Sequence, residues 1–257
     1  MWRGYITLAF LAPTLVAADL AERCLLAPLL RLLPRRRNRL LTSWMRGLAG
    51  IVVNSLRTLG GARIPESPRI EGAEGILVVA NHQSLLDIPL VIRCLVDSYP
   101  RIVTRRRYAS GIPLVSHLLR LTKSPLVNPG QDARNQLRGL AETARTSRQP
   151  LVIFPEGTRT RDGSLGPFRP AGLGAILAER AWQVHLVVVD GLWTGARFRE
   201  LPGTIPRLRV RIESFGPISS PDPGVDPGPF IRELHERAAR ELDRMRAAGD
   251  PELARTP

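Results

Sequence analysis

From about residue 68 onward, short unbroken apolar runs alternate with stretches of helical period, and that alternation leaves few folds open. The runs 76–80, 101–104, 125–128, 151–154, 183–190 and 208–214 have the length and β-branched content of strands covered on both faces. Between them, 85–96, 113–121, 131–146 and 172–180 read as helices. The pattern predicts an α/β fold with a mostly parallel central sheet flanked by helices, in which working residues collect where strands end and helices begin. Residues 216–228 form a turn-rich connector. A final charged helix over 230–247 follows, packed through Phe230, Leu234, Ala238 and Leu242.

Charge narrows the partners. The 257 residues carry a net charge of +14, almost all of it arginine, since Lys123 is the only lysine. Anionic lipid head groups, nucleic acid and an acidic carrier protein are the partners such a surface suits. The arginine runs at 35–39 and 105–107 come without interleaved aromatics, a zinc finger or a helix-turn-helix, so nucleic acid is not expected. Cys24 and Cys94 supply no disulfide framework, and His82, His117, His185 and His235 lack metal-ligand spacing. No metal is expected.

The start of the chain is apolar from Ile6 to Ala18, a run shorter than the ~20 residues a spanning helix needs. A second apolar run, 25–33, precedes Pro34 and the basic knot Arg35-Arg36-Arg37-Asn38-Arg39. Residues 40–59 then place Leu41, Trp44, Met45, Leu48, Val52, Leu56 and Leu59 on one helical face. These features predict a membrane-associated helical hairpin at the cytoplasmic leaflet of the inner membrane, with that face in the interface and the catalytic part on the cytoplasmic side. One spanning helix is the alternative, and packing of the 40–59 face on the protein itself is the plainer reading. Three parts follow: N-terminal helices at 1–62, the α/β domain at 63–215, and the connector with its helix at 216–257.

Two stretches carry chemistry. Strand 76–80 runs into Asn81-His82-Gln83-Ser84-Leu85-Leu86-Asp87, so a histidine sits at a strand exit with a carboxylate five residues on. Neutral imidazole can take a proton from an attacking alcohol, and a carboxylate on its other nitrogen orients the ring and stabilises the imidazolium. Alone, the pair also reads as a strand-end histidine followed by a helix cap. Strand 151–154 opens into Pro155-Glu156-Gly157-Thr158-Arg159-Thr160, whose backbone N–H groups, Thr158 and Arg159 suit a phosphate. Read locally, it is a tight turn with Glu156 as a cap. No Gly-x-Ser-x-Gly elbow occurs, which argues against lipase-like hydrolases.

In this order and at this separation, the two blocks resemble the phospholipid/glycerol acyltransferase family, which includes the 1-acylglycerol-3-phosphate acyltransferases. The resemblance covers roughly residues 70–215. It implies an O-acyltransferase that moves a fatty acyl group from an acyl carrier protein or coenzyme A thioester to a lysolipid hydroxyl, with no cofactor beyond that co-substrate. His82 would be the general base oriented by Asp87, Glu156, Gly157, Thr158 and Arg159 would hold the acceptor, and Asn81 and Ser84 would support the base. Two blocks depart from the family. Leu126-Val127-Asn128-Pro129 has proline where relatives carry an arginine for the acceptor's phosphate, a loss that Arg134 or one of Arg105–Arg107 could offset. The strand 184–189 lacks the family's prolines, and His185 there reads as a strand residue. The acceptor is therefore 1-acylglycerol-3-phosphate or another lysolipid, such as one containing an amino acid. A non-enzymatic basic adaptor has no use for His82, Asp87 and 156–159 together.

Overall fold

The computed structural model describes residues 2–128, 133–195 and 200–248. Strands β1 (Ile76–Ala80), β2 (Arg101–Ile102), β5 (Leu151–Ile153), β6 (Gln183–Asp190) and β7 (Arg211–Ser219) form one sheet in the order β2-β5-β1-β6-β7. The first four are parallel, and β7 closes the edge antiparallel to β6. A small parallel pair, β3 (Thr104–Arg105) and β4 (Leu126–Val127), lies apart. This splits the strand expected at 101–104, because Thr104 pairs with Leu126 of β4 instead of continuing along β5. The last strand also shifts. It runs to Ser219, so residues 216–219, expected in the connector, belong to the sheet, where Ile218 and Ser219 pair with Val184 and Gln183.

The period-two geometry of β1 sorts its side chains into two layers. Ile76, Val78 and Ala80 join a core with α3 (Arg37–Thr58) and α4 (Asp87–Cys94). Leu77 and Val79 join another with α7 (Pro170–Leu177) and α9 (Gly228–Ala247), through Leu173, Phe230, Leu234 and Leu242 among others. Every residue of β1 is buried, as the unbroken apolar run requires. Helices α5 (Val115–Leu121) and α6 (Ala133–Thr146) and the short α8 (Leu201–Thr204) complete the body, and the first two residues of the helix expected at 131–146 lie outside the described residues.

At the N-terminus, α1 (Trp2–Ala21), a π-helical turn at Glu22–Leu26 and α2 (Ala27–Leu32) make one rod, and α3 folds back along it. The pairing is antiparallel: Arg3 near the start of the rod donates to Leu59 O at 3.0 Å and Thr58 O at 2.9 Å, placing a cation on the C-terminal carbonyls of α3. The expected hairpin is present, but its faces differ from expectation. Leu41, Met45, Ala49, Val53 and Leu56 of α3 are buried in the core beside α4, so this face lies on the protein rather than at a lipid interface. The reason is cover: Ile76 and Val78 of the sheet and Leu90 and Val91 of α4 need an apolar lid, and α3 provides it. Exposed apolar side chains fall on the rod instead, at Trp2, Tyr5, Phe10, Leu20, Leu25 and Leu32. Trp2–Leu32, 31 residues, is long and apolar enough to cross a membrane.

Leu41 is fully buried, so Leu41→Ala is expected to cost about 2–5 kcal/mol of stability. Chemical denaturation in mild detergent measures it. A loss near zero would put this face of α3 against lipid or detergent.

Candidate active site

The site lies at the C-terminal ends of the adjacent parallel strands β1 and β5, where a parallel sheet leaves a crevice. Beyond Ala80, Asn81 prolongs the ladder with its side chain. Its Nδ2 donates to Val189 O and its Oδ1 accepts from Val189 N, both at 2.8 Å. This amide ties the loop after β1 to β6. Gln83 makes a second tie, with Oε1 accepting from Leu192 N at 3.0 Å and Nε2 donating to Asp190 Oδ1 at 3.2 Å.

Between these ties sits His82. Its Nδ1 is 2.8 Å from Asp87 Oδ2 on a fully buried carboxylate at the start of α4. The same oxygen accepts N–H bonds from Gln83 at 2.7 Å and Ser84 at 2.8 Å, which fix the carboxylate in place. With Nδ1–H donating to Asp87 Oδ2, the lone pair of the neutral imidazole sits on Nε2. The imidazole stacks on Phe154, with ring centroids 4.4 Å apart. Ser84 is buried, and its hydroxyl reaches Gly195 O at 3.3 Å.

Glu156 stands differently from expectation. Sequence reasoning put it against the acceptor. In the fold it is buried, and its oxygens accept from His82 N at 2.6 Å and Gly166 N at 2.8 Å. Burial pushes its pKa up, and the two N–H bonds oppose that rise. A Cβ at Gly166 would lie 2.8 Å from Glu156 Oε2, so a side chain there would make the carboxylate shift. Thr160 N donates to His82 O at 2.9 Å, so both backbone polar groups of His82 are held by the 156–160 block. Gly157 turns this block with φ +67°, and Arg105 of β3 donates to its carbonyl. Thr158 is exposed and Arg159 half-buried in the same turn. Arg134 lies exposed in the first turn of α6, outside this network among the described residues, and Pro129 lies outside the described residues altogether.

Sequence reasoning missed the ties from the far end of the chain. On α9, Arg246 Nη2 donates to Asp190 Oδ1 at 2.9 Å and to Gly163 O at 2.6 Å, and His235 Nε2 donates to Gly166 O at 3.2 Å. No spacing in the sequence signals them, since they join elements more than fifty residues apart.

The acyltransferase family model matches residues 60–189, half of the chain, and the chain belongs to that family. Over 132 residues it is 29% identical to a 1-acyl-sn-glycerol-3-phosphate acyltransferase of Limnanthes douglasii, covering 50% of this chain and 43% of that one. The enzyme of the same name from Helicobacter pylori is 29% identical over 175 residues, 64% of this chain and 67% of that one. Lysophosphatidylcholine acyltransferase 2 of Mus musculus is 28% identical over 180 residues, 65% of this chain and 32% of that one. The match with the Limnanthes relative thus spans less than half of that relative's length. The crystal structure of the 1-acyl-sn-glycerophosphate (LPA) acyltransferase PlsC from Thermotoga maritima shares the fold, with a TM-score of 0.58, 19% identity and 83% of each chain covered.

Burial raises the pKa of Asp190, but its bonds from Arg246 and Gln83 outweigh that and hold it below its ordinary value. A depressed carboxylate stabilises fully above its unfolded pKa of about 3.9 and loses that contribution as pH falls through its folded value. Arg246→Ala is expected to cost on the order of 2 kcal/mol at neutral pH, because it leaves a buried charge short of its partner. The gap to the parent should close as pH drops below about 4. Urea unfolding of both proteins from pH 7 to pH 3 checks this, and a gap independent of pH would sink it.

Proposed function

We propose that this protein acylates a lysolipid, taking the acyl group from a thioester donor, with 1-acylglycerol-3-phosphate as the acceptor and phosphatidate as the product. The observation that carries the reading is the His82 Nδ1 to Asp87 Oδ2 bond at the exit of β1. His82 Nε2 takes the proton of the acceptor hydroxyl as its oxygen attacks the thioester carbonyl. The imidazolium that forms is stabilised by Asp87. Collapse of the tetrahedral intermediate breaks the carbon–sulfur bond, and the proton on Nε2 passes to the departing thiolate. An ester and a free thiol result, with no acyl-enzyme. The ground against a solvated, adaptable imidazole is its setting, since its ring rests on Phe154 and both its backbone groups are bonded. Such preorganisation supports proton transfer in one fixed direction.

The acceptor's phosphate is assigned to the 157–159 turn, where Gly157, exposed Thr158 and half-buried Arg159 sit just past the Glu156 clamp. Proline at 129 favours a second reading, in which the acceptor is a different lysolipid. Activity is tested by thiol release with a panel of lysolipids. His82→Ala is expected to lower kcat by about 10² to 10⁴ with folding intact, and Asp87→Asn to be severely impaired through the wrong tautomer. A folded His82→Ala protein with near-parental turnover would overturn the mechanism.

The exposed apolar face of the 2–32 rod, with the arginines at 35–39 at its turn, supports attachment to the inner membrane with the site on the cytoplasmic side. Full-length protein should stay with membranes through a high-salt wash, because salt screens the arginines but leaves apolar insertion intact. Deleting the N-terminus is an unsuitable test, as it removes α3 from the core. Glutamine at Tyr5, Phe10, Leu25 and Leu32, all exposed, is expected to shift the protein to the soluble fraction while it remains folded. Retention of that variant on washed membranes would refute lipid contact by the rod.

A further inference from the structure

The segment that leads from β3 to α5 ends in an apolar turn that the acyl-transfer chemistry does not use. Ile112, Pro113 and Val115 are exposed there, while Leu114 between them is buried. Leu114 has φ +65° and ψ −55°, and Val115 N donates to Pro113 O at 2.7 Å, which together define a γ-turn. That form is rare and strained for a residue with a side chain. Two sets of bonds hold the chain in it. Ser116 Oγ accepts from Ile112 N and donates to Tyr108 O, both at 3.0 Å, and Asp19 of the N-terminal rod accepts the Leu114 N–H at 2.6 Å. The outcome is a fixed tip with one apolar side chain turned inward and its neighbours turned out.

Its surroundings indicate what the tip meets. Val16 and Leu20 of the rod lie within one turn of Asp19 and are exposed, so the tip adjoins the apolar face of the rod. Further along, the contact of Glu22 with His117 of α5, at 2.7 Å, fixes the same junction. Arg106 and Arg107 before the tip and Arg120 and Lys123 after it are exposed. An apolar tip flanked by cations has the composition of an element that enters the boundary of an anionic bilayer. Three partly exposed side chains fall well below the roughly 800 Å² per partner that a stable protein contact buries.

We propose that the 112–115 turn is a second lipid-inserted element, carried by the catalytic body itself, which together with the rod sets the tilt of the site over an anionic bilayer. The inference rests on the lipid contact of the rod proposed above. A single rod lying on a bilayer leaves the body free to roll about the rod's long axis. A second inserted point beside the rod stops that rotation. The link from the tip to the site is short, because the segment starts at Arg106, next to Arg105, whose guanidinium bonds the Gly157 carbonyl of the 156–160 block.

The test places an environment-sensitive fluorophore on single positions of the full-length chain. Cys24→Ser removes the exposed thiol, and Cys94 stays unlabelled because burial pushes its thiol up to about 12. In that background Ile112→Cys labels the tip, Leu25→Cys the rod, and Val225→Cys the exposed connector before α9. Each protein is reconstituted on vesicles of phosphatidylethanolamine and phosphatidylglycerol that carry a lipid-bound quencher. Quenching is expected at 112 and 25 and not at 225. Ile112→Ser combined with Val115→Ser should lower partition onto the vesicles about threefold to tenfold, with the far-UV spectrum unchanged. Quenching at 25 without quenching at 112 overturns the proposal and leaves the rod's lipid contact standing. Quenching at neither position fells both. Equal quenching at 225 overturns it, since lipid contact would then not distinguish the tip. A label at 112 shielded from lipid-borne and aqueous quenchers alike would mean that a second copy of the chain covers the tip, which overturns it as well.

Discussion

Two loops leave neighbouring parallel strands at the centre of this sheet, and a single buried carboxylate, Glu156, joins them. One of its oxygens accepts the His82 backbone N–H and the other the Gly166 N–H, and Thr160 returns a bond to the His82 carbonyl. Burying a carboxylate costs several kcal/mol, and two N–H bonds to it of about 1.5–3 kcal/mol each are of the size needed to offset that. The return on that arrangement is position. With its backbone held from the β5 side, the imidazole meets Asp87 on one edge and Phe154 on its face. Gly166 leaves room for the clamp, since a Cβ there would lie 2.8 Å from Glu156 Oε2 and displace the carboxylate.

The support continues outward by hydrogen bonds between elements remote in sequence. Gln83, next to His82, leads to Asp190 at the end of β6, and Asp190 leads to Arg246 on the last helix. Arg246 also holds the Gly163 carbonyl in the loop that begins at the 156–160 block. The C-terminal helix is therefore part of the structure that keeps the two loops in register, as well as a cover for the Leu77 and Val79 face of the sheet.

A parallel logic joins the N-terminal rod to the body. Its π-helical turn points buried Glu22 inward, where Oε1 lies 2.7 Å from His117 Nδ1 and Oε2 accepts from Trp44 Nε1 at 3.1 Å. Asp19 accepts the Leu114 N–H at 2.6 Å. The two acids that interrupt the apolar start of the chain are therefore contacts to α3 and to the segment around α5. This explains how a rod with an exposed apolar face can be fixed to a body that carries the site.

Local regularity and local chemistry were legible in the sequence. The unbroken run 76–80 dictated a strand buried on both faces, the alternation dictated a parallel sheet, and His82 with Asp87 five residues on falls within one turn of chain, so their meeting follows from the strand-loop-helix order. The faces that elements present were decided only in three dimensions. An amphipathic helix such as 40–59 has an apolar stripe whether it meets lipid or protein, and the uncovered faces of the sheet and α4 made it protein. The role of Glu156 was hidden for a related reason: its partners are backbone N–H groups, which every residue but proline possesses and which leave no mark in a sequence. The same holds for Arg246, whose partner Asp190 lies 56 residues away and is brought near only when α9 packs on the sheet.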